Sequence, residues 1–400
     1  MRFPKTVIRV IAIVLALLMA VAILLSVLGS GASAASASEE ELALLRRLQT
    51  QLAQEKRDLQ AHIYDLEEKE ASPTEIKAVM DERVRLTGSE RDNLSAQLEA
   101  CGRLIAEREE DIADCGRKEK ESFELYKARV RRMEENGTAA YCEMLFAAAD
   151  WTDLLARVDY IQEIMTYDEG VRASLLRARA ATEDAKAALE AAKEERETVR
   201  GLLEDKAEEL QDEVETACRY VAELESSPDS YASLSAEREA DEKELLRTIE
   251  AAAAETDRLR PVASTGTYIW PSSDSRLVTR GFGGWTHPEY GVYRVNYGVD
   301  VAADYGTSVM AVDGGVVVAA EYSSAYGTYV VVTHGNGVRT LYAHLSRLYV
   351  SPGDTVTQGS VLGLVGASGL ISEPHLHFEV IRDGAKVDPL AWYTNYELAE

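Results

Sequence analysis

Positive charge is what this chain lacks. Among its 400 residues, 43 are Lys or Arg and 69 are Asp or Glu, which leaves a net charge of −26. Nucleic acid rewards the opposite balance, so it is excluded as a general ligand. Anionic membranes and wall polymers repel such a chain too, so docking on either must be local and specific. Cysteine is also scarce, with four in all. Cys101 and Cys115 are fourteen residues apart, about 21 Å along a straight helix, too far for a disulfide. Both read as small apolar residues on a buried seam, and Cys142 and Cys218 have no evident partner. Long apolar runs are limited to one. Val10 to Leu28 is uncharged, follows the basic residues Arg2, Lys5 and Arg9, and precedes Ala32-Ser33-Ala34 and Ala35-Ser36-Ala37. Residues 1–37 are therefore expected to be a cleaved export signal, with a retained membrane anchor as the alternative. Either way the remainder is expected outside the cytoplasm.

What is abundant is heptad periodicity. Leu45, Leu52, Leu59 and Leu66 recur in sevens, as do Leu98, Ile105 and Ile112, with charged residues and Ala between them. Residues 38–258 are expected to form a coiled coil folded as an antiparallel hairpin. Residues 133–170 break the pattern. Asn136-Gly137 signals a turn, and the apolar residues Leu145, Phe146, Trp151, Leu154 and Leu155 follow. They are expected at the tip of the helical hairpin, in short helices with a hydrophobic surface. Ser72-Pro73 and Ser227-Pro228 mirror each other about residue 150, which predicts one joint crossing both arms. His62 falls on the seam.

Residues 259–266 read as a linker. From 267 to 395 the period becomes two and Gly is frequent. Val316-Val317-Val318 and Tyr329-Val330-Val331-Val332 predict strands, and Asn336-Gly337 predicts a hairpin turn. The fold class is α + β multidomain, a coiled-coil hairpin followed by a compact all-β, barrel-sandwich-like domain. Four of the six histidines lie in the last 67 residues. His375 and His377 are two apart beside a predicted strand, so they face one side. Asp313, Asp354 and Asp388 sit beside Gly or Pro and read as turn residues, and His334 reads as a surface residue at a hairpin end. The Val-x-x-Gly-Asp-x-Val-x-x-Gly pattern also occurs in biotinyl/lipoyl-like domains, but the lysine expected at the turn tip is missing.

The runs Asn296-Tyr297-Gly298-Val299-Asp300, Tyr342-Ala343-His344 and Pro374-His375-Leu376-His377-Phe378-Glu379 resemble the site of lysostaphin/LytM-type zinc endopeptidases. Residues 39–258, closest at Met133 to Asp168, resemble the coiled-coil domain of PcsB-like and EnvC-like wall hydrolase factors. The resemblance implies Asp300 and His377 as zinc ligands and His344 and His375 as catalytic, non-ligand histidines. It also implies a groove lined by Asn296, Trp285 and Tyr342. The family has histidine where Asn296 stands, and the fourteen-residue interval from Phe282 needs no gap. Trp285 stands where the family has arginine. Asparagine offers only a neutral amide oxygen, a poor zinc ligand, so Zn2+ is expected to be weakened or lost. Replacement by His287 is the alternative ligand.

The resemblance therefore implies a peptidoglycan-remodelling factor that activates a wall amidase or other hydrolase in cell division. The tip would dock on an FtsEX-type membrane complex, and a helix from 232–258 would cover the groove at rest. The alternative is an active zinc endopeptidase that cuts peptide cross-links. A third reading is a wall-binding spacer.

Overall fold

A computed structural model describes residues 34–136, 139–259, 264–286 and 291–399. The expected export signal thus lies outside the described residues. The chain divides into two compact units, Met1–Thr50 with Asp92–Glu204, and Gln51–Arg91 with Asp205–Glu400. The helices are α1 (Ala34–Glu68), α2 (Pro73–Asn136), α3 (Ala139–Phe146), α4 (Trp151–Leu224) and α5 (Pro228–Leu259). No helix among the described residues is long and apolar enough to cross a membrane.

In the first unit the seam residues do what their spacing demands. Leu42 of α1, Leu94, Cys101 and Leu104 of α2, and Ala192 and Val199 of α4 share one buried cluster. Three helices therefore meet there. Arg103 reaches Glu41 at 2.8 Å and Gln97 reaches Gln49 at 2.9 Å, so α1 runs back along α2. Arg129 pairs with Asp168, and Arg179 with Glu119 at 3.3 Å, which sets α4 antiparallel to α2. The hairpin expected from the heptads is α2 with α4, and α1 joins it as a third helix. Cys101 is buried in the seam, Cys115 is half-buried, Cys142 is exposed, and all four cysteines are free.

The two Ser-Pro pairs are not joints within arms. Each begins a helix. The Ser72 hydroxyl accepts from the Glu75 amide at 3.3 Å while the Glu75 carboxylate accepts from the Ser72 amide, a capping box with Pro73 at the first helical position. Ser227 accepts from the Ser230 amide at 3.2 Å in the same way. The chain turns back at the second pair as well, because Arg238 and Glu225 lie 3.1 Å apart across thirteen residues. Proline that would break a helix interior is well placed at its start. His62 is exposed rather than packed on the seam.

The strands of the second unit are β1 (Leu277–Arg280), β2 (Gly283–Thr286), β3 (Tyr293–Asn296), β4 (Val299–Ala302), β5 (Ser308–Met310), β6 (Gly315–Ser323), β7 (Gly327–Gly335), β8 (Val338–Leu348), β9 (Thr355–Val356), β10 (Val361–Val365), β11 (His375–Arg382), β12 (Ala385–Val387) and β13 (Glu397–Leu398). Among the described residues an eleven-stranded sheet runs in the order β13-β1-β4-β11-β8-β7-β6-β9, with β5, β10 and β12 attached beside it. β2 and β3 form a separate ribbon. The unbroken apolar runs in β6 and β7 mean that both faces are covered. Val330, Val332 and Tyr342 point into one core. Tyr329, Val331, Leu341 and Ala343 point the other way, onto Leu245, Ile249 and Ala253 of α5. Those three recur every four residues, which makes one stripe of a helix. Burying Ile249 alone is worth about 1.5–3 kcal/mol.

α2 docks on the β domain through a buried ion pair. Lys77, 1% exposed, pairs with Asp81. Lys77 also donates to the Ala367 carbonyl at 3.1 Å, and Asp81 accepts from the Gly369 amide at 2.6 Å and the Tyr322 hydroxyl at 3.0 Å. Ala367 and Ile371 pack against Leu210, Val214 and Cys218 of α4. The loop between β10 and β11 is thus gripped by two helices.

Candidate functional site

Ladder register brings the site together. β11 pairs antiparallel with β4 so that His377 sits opposite Asp300 and His375 opposite Ala302. A Cβ on Gly298 would stand 2.3 Å from the Phe378 carbonyl oxygen, so only glycine allows this approach of the two backbones. His344 arrives from β8. Between the Thr328–Leu345 and Val330–Tyr342 pairs β8 carries one extra residue, and His344 takes a left-handed φ of 63°. That bulge turns its ring out of strict alternation. The His344 ring lies 4.8 Å from that of His375 and 5.9 Å from that of His377.

The hydrogen bonds fix the tautomers. His344 Nδ1 donates to the Ser368 carbonyl at 2.9 Å, and His375 Nδ1 donates to the Glu373 carbonyl at 3.0 Å. A carbonyl only accepts, so each Nδ1 carries the proton. Burial pushes both imidazoles below the ordinary histidine range. His377 differs. Its Nδ1 meets Asp300 Oδ1 at 2.7 Å and its Nε2 meets Glu379 Oε1 at 3.1 Å. Burial opposes its charge, but the two carboxylates win and raise it to about 10. Burial likewise works against the Asp300 charge, and the His377 hydrogen bond with the nearby histidines holds that carboxyl well below its usual range. Behind His377, Glu379 also accepts from the Tyr326 hydroxyl at 2.6 Å and from Lys386 Nζ at 3.0 Å.

Asn296 is the last residue of β3 and is 8% exposed. Its Oδ1 accepts from the Gly298 amide at 3.2 Å, which fixes the orientation of the side-chain amide. Its Nδ2 is buried with no hydrogen-bond partner.

Sequence profiles agree with this geometry. That of peptidase family M23 matches residues 294–389, and that of the coiled-coil domain of the peptidoglycan hydrolase PcsB matches residues 105–184. This chain joins an M23 domain to a PcsB-type coiled coil. DD-carboxypeptidase/endopeptidase Mpg of Neisseria meningitidis is 40% identical over 114 residues, covering 28% of this chain and 26% of that one. Cell division protein DipM of Caulobacter vibrioides is 36% identical over 148 residues, 35% of this chain and 23% of that one. Murein hydrolase activator EnvC of Escherichia coli is 40% identical over 95 residues, 24% of this chain and 23% of that one. The chain thus spans about a quarter of the length of the curated relatives it matches.

An M23 domain raises the question of zinc, and the donor set can be tested against it. Catalytic zinc takes three protein ligands and keeps one position open. Asp300 and His377 are adjacent, but His375 Nε2 is 3.9 Å from Asp300 Oδ1 and Asn296 has its amide oxygen turned to Gly298. Among the described residues no group of three His, Cys, Asp or Glu is arranged to hold a metal ion. The donors that meet here are Asp300 and His377.

The other residues singled out by sequence divide. Trp285 of β2 lies opposite Arg294 of β3, with the Arg280 guanidinium stacked 4.4 Å from its ring. Tyr342 belongs to the hydrophobic core instead of the groove. It is fully buried, and its hydroxyl takes the Val312 amide and the Thr340 hydroxyl, as a buried phenol must. His334 is likewise buried, between the Gly314 carbonyl and Thr340, and not at the surface. Asp313 is more than a turn residue, since it accepts from Ser264, Thr265 and Gly266 and ties the linker down. His287 lies outside the described residues. At the tip Phe146 is 89%, Trp151 77% and Leu155 60% exposed, while Leu145 and Leu154 are half-buried. The M23 residues that sequence reasoning missed are Glu379, Tyr326 and Lys386. Glu379 was within reach, being two positions from His377 on one strand face.

Proposed function

We propose that this protein regulates peptidoglycan hydrolysis in cell division, and that it activates a separate wall hydrolase, such as an amidase, rather than cutting wall itself. One observation carries the reading. At the first ligand position of the M23 site stands an amide whose only Lewis-basic atom is engaged by its own turn. The groove is then a partner-binding cleft, and the exported chain acts at the wall or the outer face of the cytoplasmic membrane. The exposed tip at Phe146, Trp151 and Leu155 suits an FtsEX-type membrane complex. α5 suits a resting cover, since Tyr231 meets Arg294 at 3.1 Å and Asp241 accepts from the Ala325 amide at 2.8 Å.

A second reading, a zinc-dependent endopeptidase that cuts peptide cross-links, is favoured by the retention of Asp300, His344, His375 and His377 in one cluster. Zinc stoichiometry of the full chain and of Asn296→His, with release of soluble fragments from purified wall, separates the two. The regulator reading expects no bound zinc and no release from the native chain, and about one zinc per chain in the variant. One tightly held zinc with wall digestion by the native chain would establish the endopeptidase.

A further inference from the structure

Asn296 has gained something as well as lost something. Its oxygen is committed to Gly298, so the end left over is an N–H2 donor, buried and without a partner. Two residues earlier on the same strand, and so on the same face, stands Arg294. Its guanidinium lies 5.3 Å from the Tyr231 ring and 3.9 Å from Glu225 Oε1. Glu225 is shared. Arg238 of α5 holds the same carboxylate oxygen at 3.1 Å, and Arg238 Nε is itself buried without a partner. Two guanidiniums thus crowd one carboxylate, and burial, with Arg294 beside it, lowers Arg238 to about 10. The half-buried carboxyl of Glu242 also lies within electrostatic reach of Arg294. Buried donors left unmatched are costly, so such a cluster is complete only with a further acceptor.

We propose that Arg294 and Asn296 form a carboxylate-binding subsite of the groove, that its ligand is an acidic helical segment of a protein partner, and that Glu225 is the internal carboxylate engaging Arg294 at rest. This rests on the partner-binding reading of the groove. The resident contact shows what the subsite accepts. Glu225 comes from the turn between two helices, and next to it Val221 and Leu234 bury against Leu370. A competing ligand presents the same pair of features, a carboxylate at a helix end and an apolar side chain beside it. Arg294 supplies a planar fork of donors suited to a carboxylate, and Asn296 adds one neutral donor from the same face. Where a metal site would have bound the oxygen of a scissile bond, this face binds the oxygen of an acid.

The test uses the full chain. Wild type, Glu225→Gln, and Glu225→Gln combined with Arg294→Gln, Arg294→Lys or Asn296→Ala are titrated with a fluorescent peptide copying residues 219–241, and with the same peptide carrying Gln at its Glu225 position. Circular dichroism melting confirms that each variant is folded. Glu225→Gln is expected to bind the acidic peptide at least tenfold more tightly than wild type, because the internal carboxylate no longer competes. Adding Arg294→Gln removes that gain, Arg294→Lys recovers part of it, Asn296→Ala loses several-fold, and the Gln peptide binds weakly throughout. No gain on Glu225→Gln, or a gain indifferent to Arg294 and Asn296, overturns the subsite. A soluble muropeptide that binds with the same Arg294 dependence while the peptide does not overturns the choice of ligand. Zinc content and wall digestion, read on the same preparations, test the regulator reading separately. Bound zinc with digestion, together with Arg294-dependent peptide capture, would remove that reading and leave the subsite standing.

Discussion

At the scale of single residues, the site is held by backbone approach more than by the side chains it displays. Gly298 shows this. Replacing it with Ala puts a methyl group 2.3 Å from the Phe378 carbonyl, so β4 and β11 must separate. The expected cost is about 1–3 kcal/mol, the range for overpacking, measured as a lower melting temperature. Loss of the Asp300–His377 hydrogen bond, seen in the His377 ring resonances, should accompany it. A second prediction concerns Asp313. Burial raises its pKa, but hydrogen bonds from Ser264, Thr265 and Gly314 prevail and lower it to about 2, against an ordinary 3.8. A carboxyl lowered in the folded state stabilises fully above its unfolded pKa and ceases to do so as pH falls through the folded value. Protection of the Gly266 amide from hydrogen exchange should therefore be constant above about pH 4 and vanish toward pH 2. His375 and His377 were legible because residues two apart on a strand share a face, whereas Asp300 and His344 came from the family resemblance alone, His344 reaching the cluster through a bulge that no period foretells. Tyr342 and His334 were misplaced for a reason of the same kind. Their neighbours gave no sign that hydroxyl and imidazole would be satisfied inside a core by Thr340.

At the scale of elements, sequence reasoning found the helices and the main strands and misread their starts. Ser-Pro within a heptad array looks like an interruption. With Glu75 three residues on, Ser72-Pro73 is a capping box, and the two readings differ only in whether the chain reverses. The clasp between α2 and the loop after β10 was invisible, because Lys77 and Asp81 are an ordinary i, i+4 pair until a carbonyl and an amide 290 and 288 residues away complete them. It makes a sharp prediction. Lys77→Met should destabilise by about 3–5 kcal/mol, since it leaves Asp81 charged and buried without its cation. Lys77→Met with Asp81→Leu should recover most of that loss in the same denaturant titration. A strictly additive pair would show that the two side chains act independently.

At the scale of the whole molecule, the large exposed apolar residues of the tip stand out. Arg157 donates to the Met144 carbonyl at 2.7 Å and Asp150 caps α4, so the turn is set without them. Replacing Phe146 and Trp151 with Ser should leave the melting temperature within about 1 °C, as exposed positions do. Capture of the extracellular part of an FtsEX-type complex, measured by calorimetry, should fall at least tenfold. Retained capture would assign the tip another role. The boundary between arm and β domain is plain in composition at residues 259–266, yet it is not where the structure divides. Tyr329, Val331, Leu341 and Ala343 have α5 as their cover. Helix and sheet here form one core written in two places along the chain. Moving α5 aside therefore cannot resemble a door swinging on a hinge. It is partial unfolding, opposed by the exposure of an apolar sheet face, and it becomes favourable only when an incoming surface wets that face less than water does. The resting and active forms would then differ by an exchange of covers, and the energy of switching would be the difference between two packed interfaces.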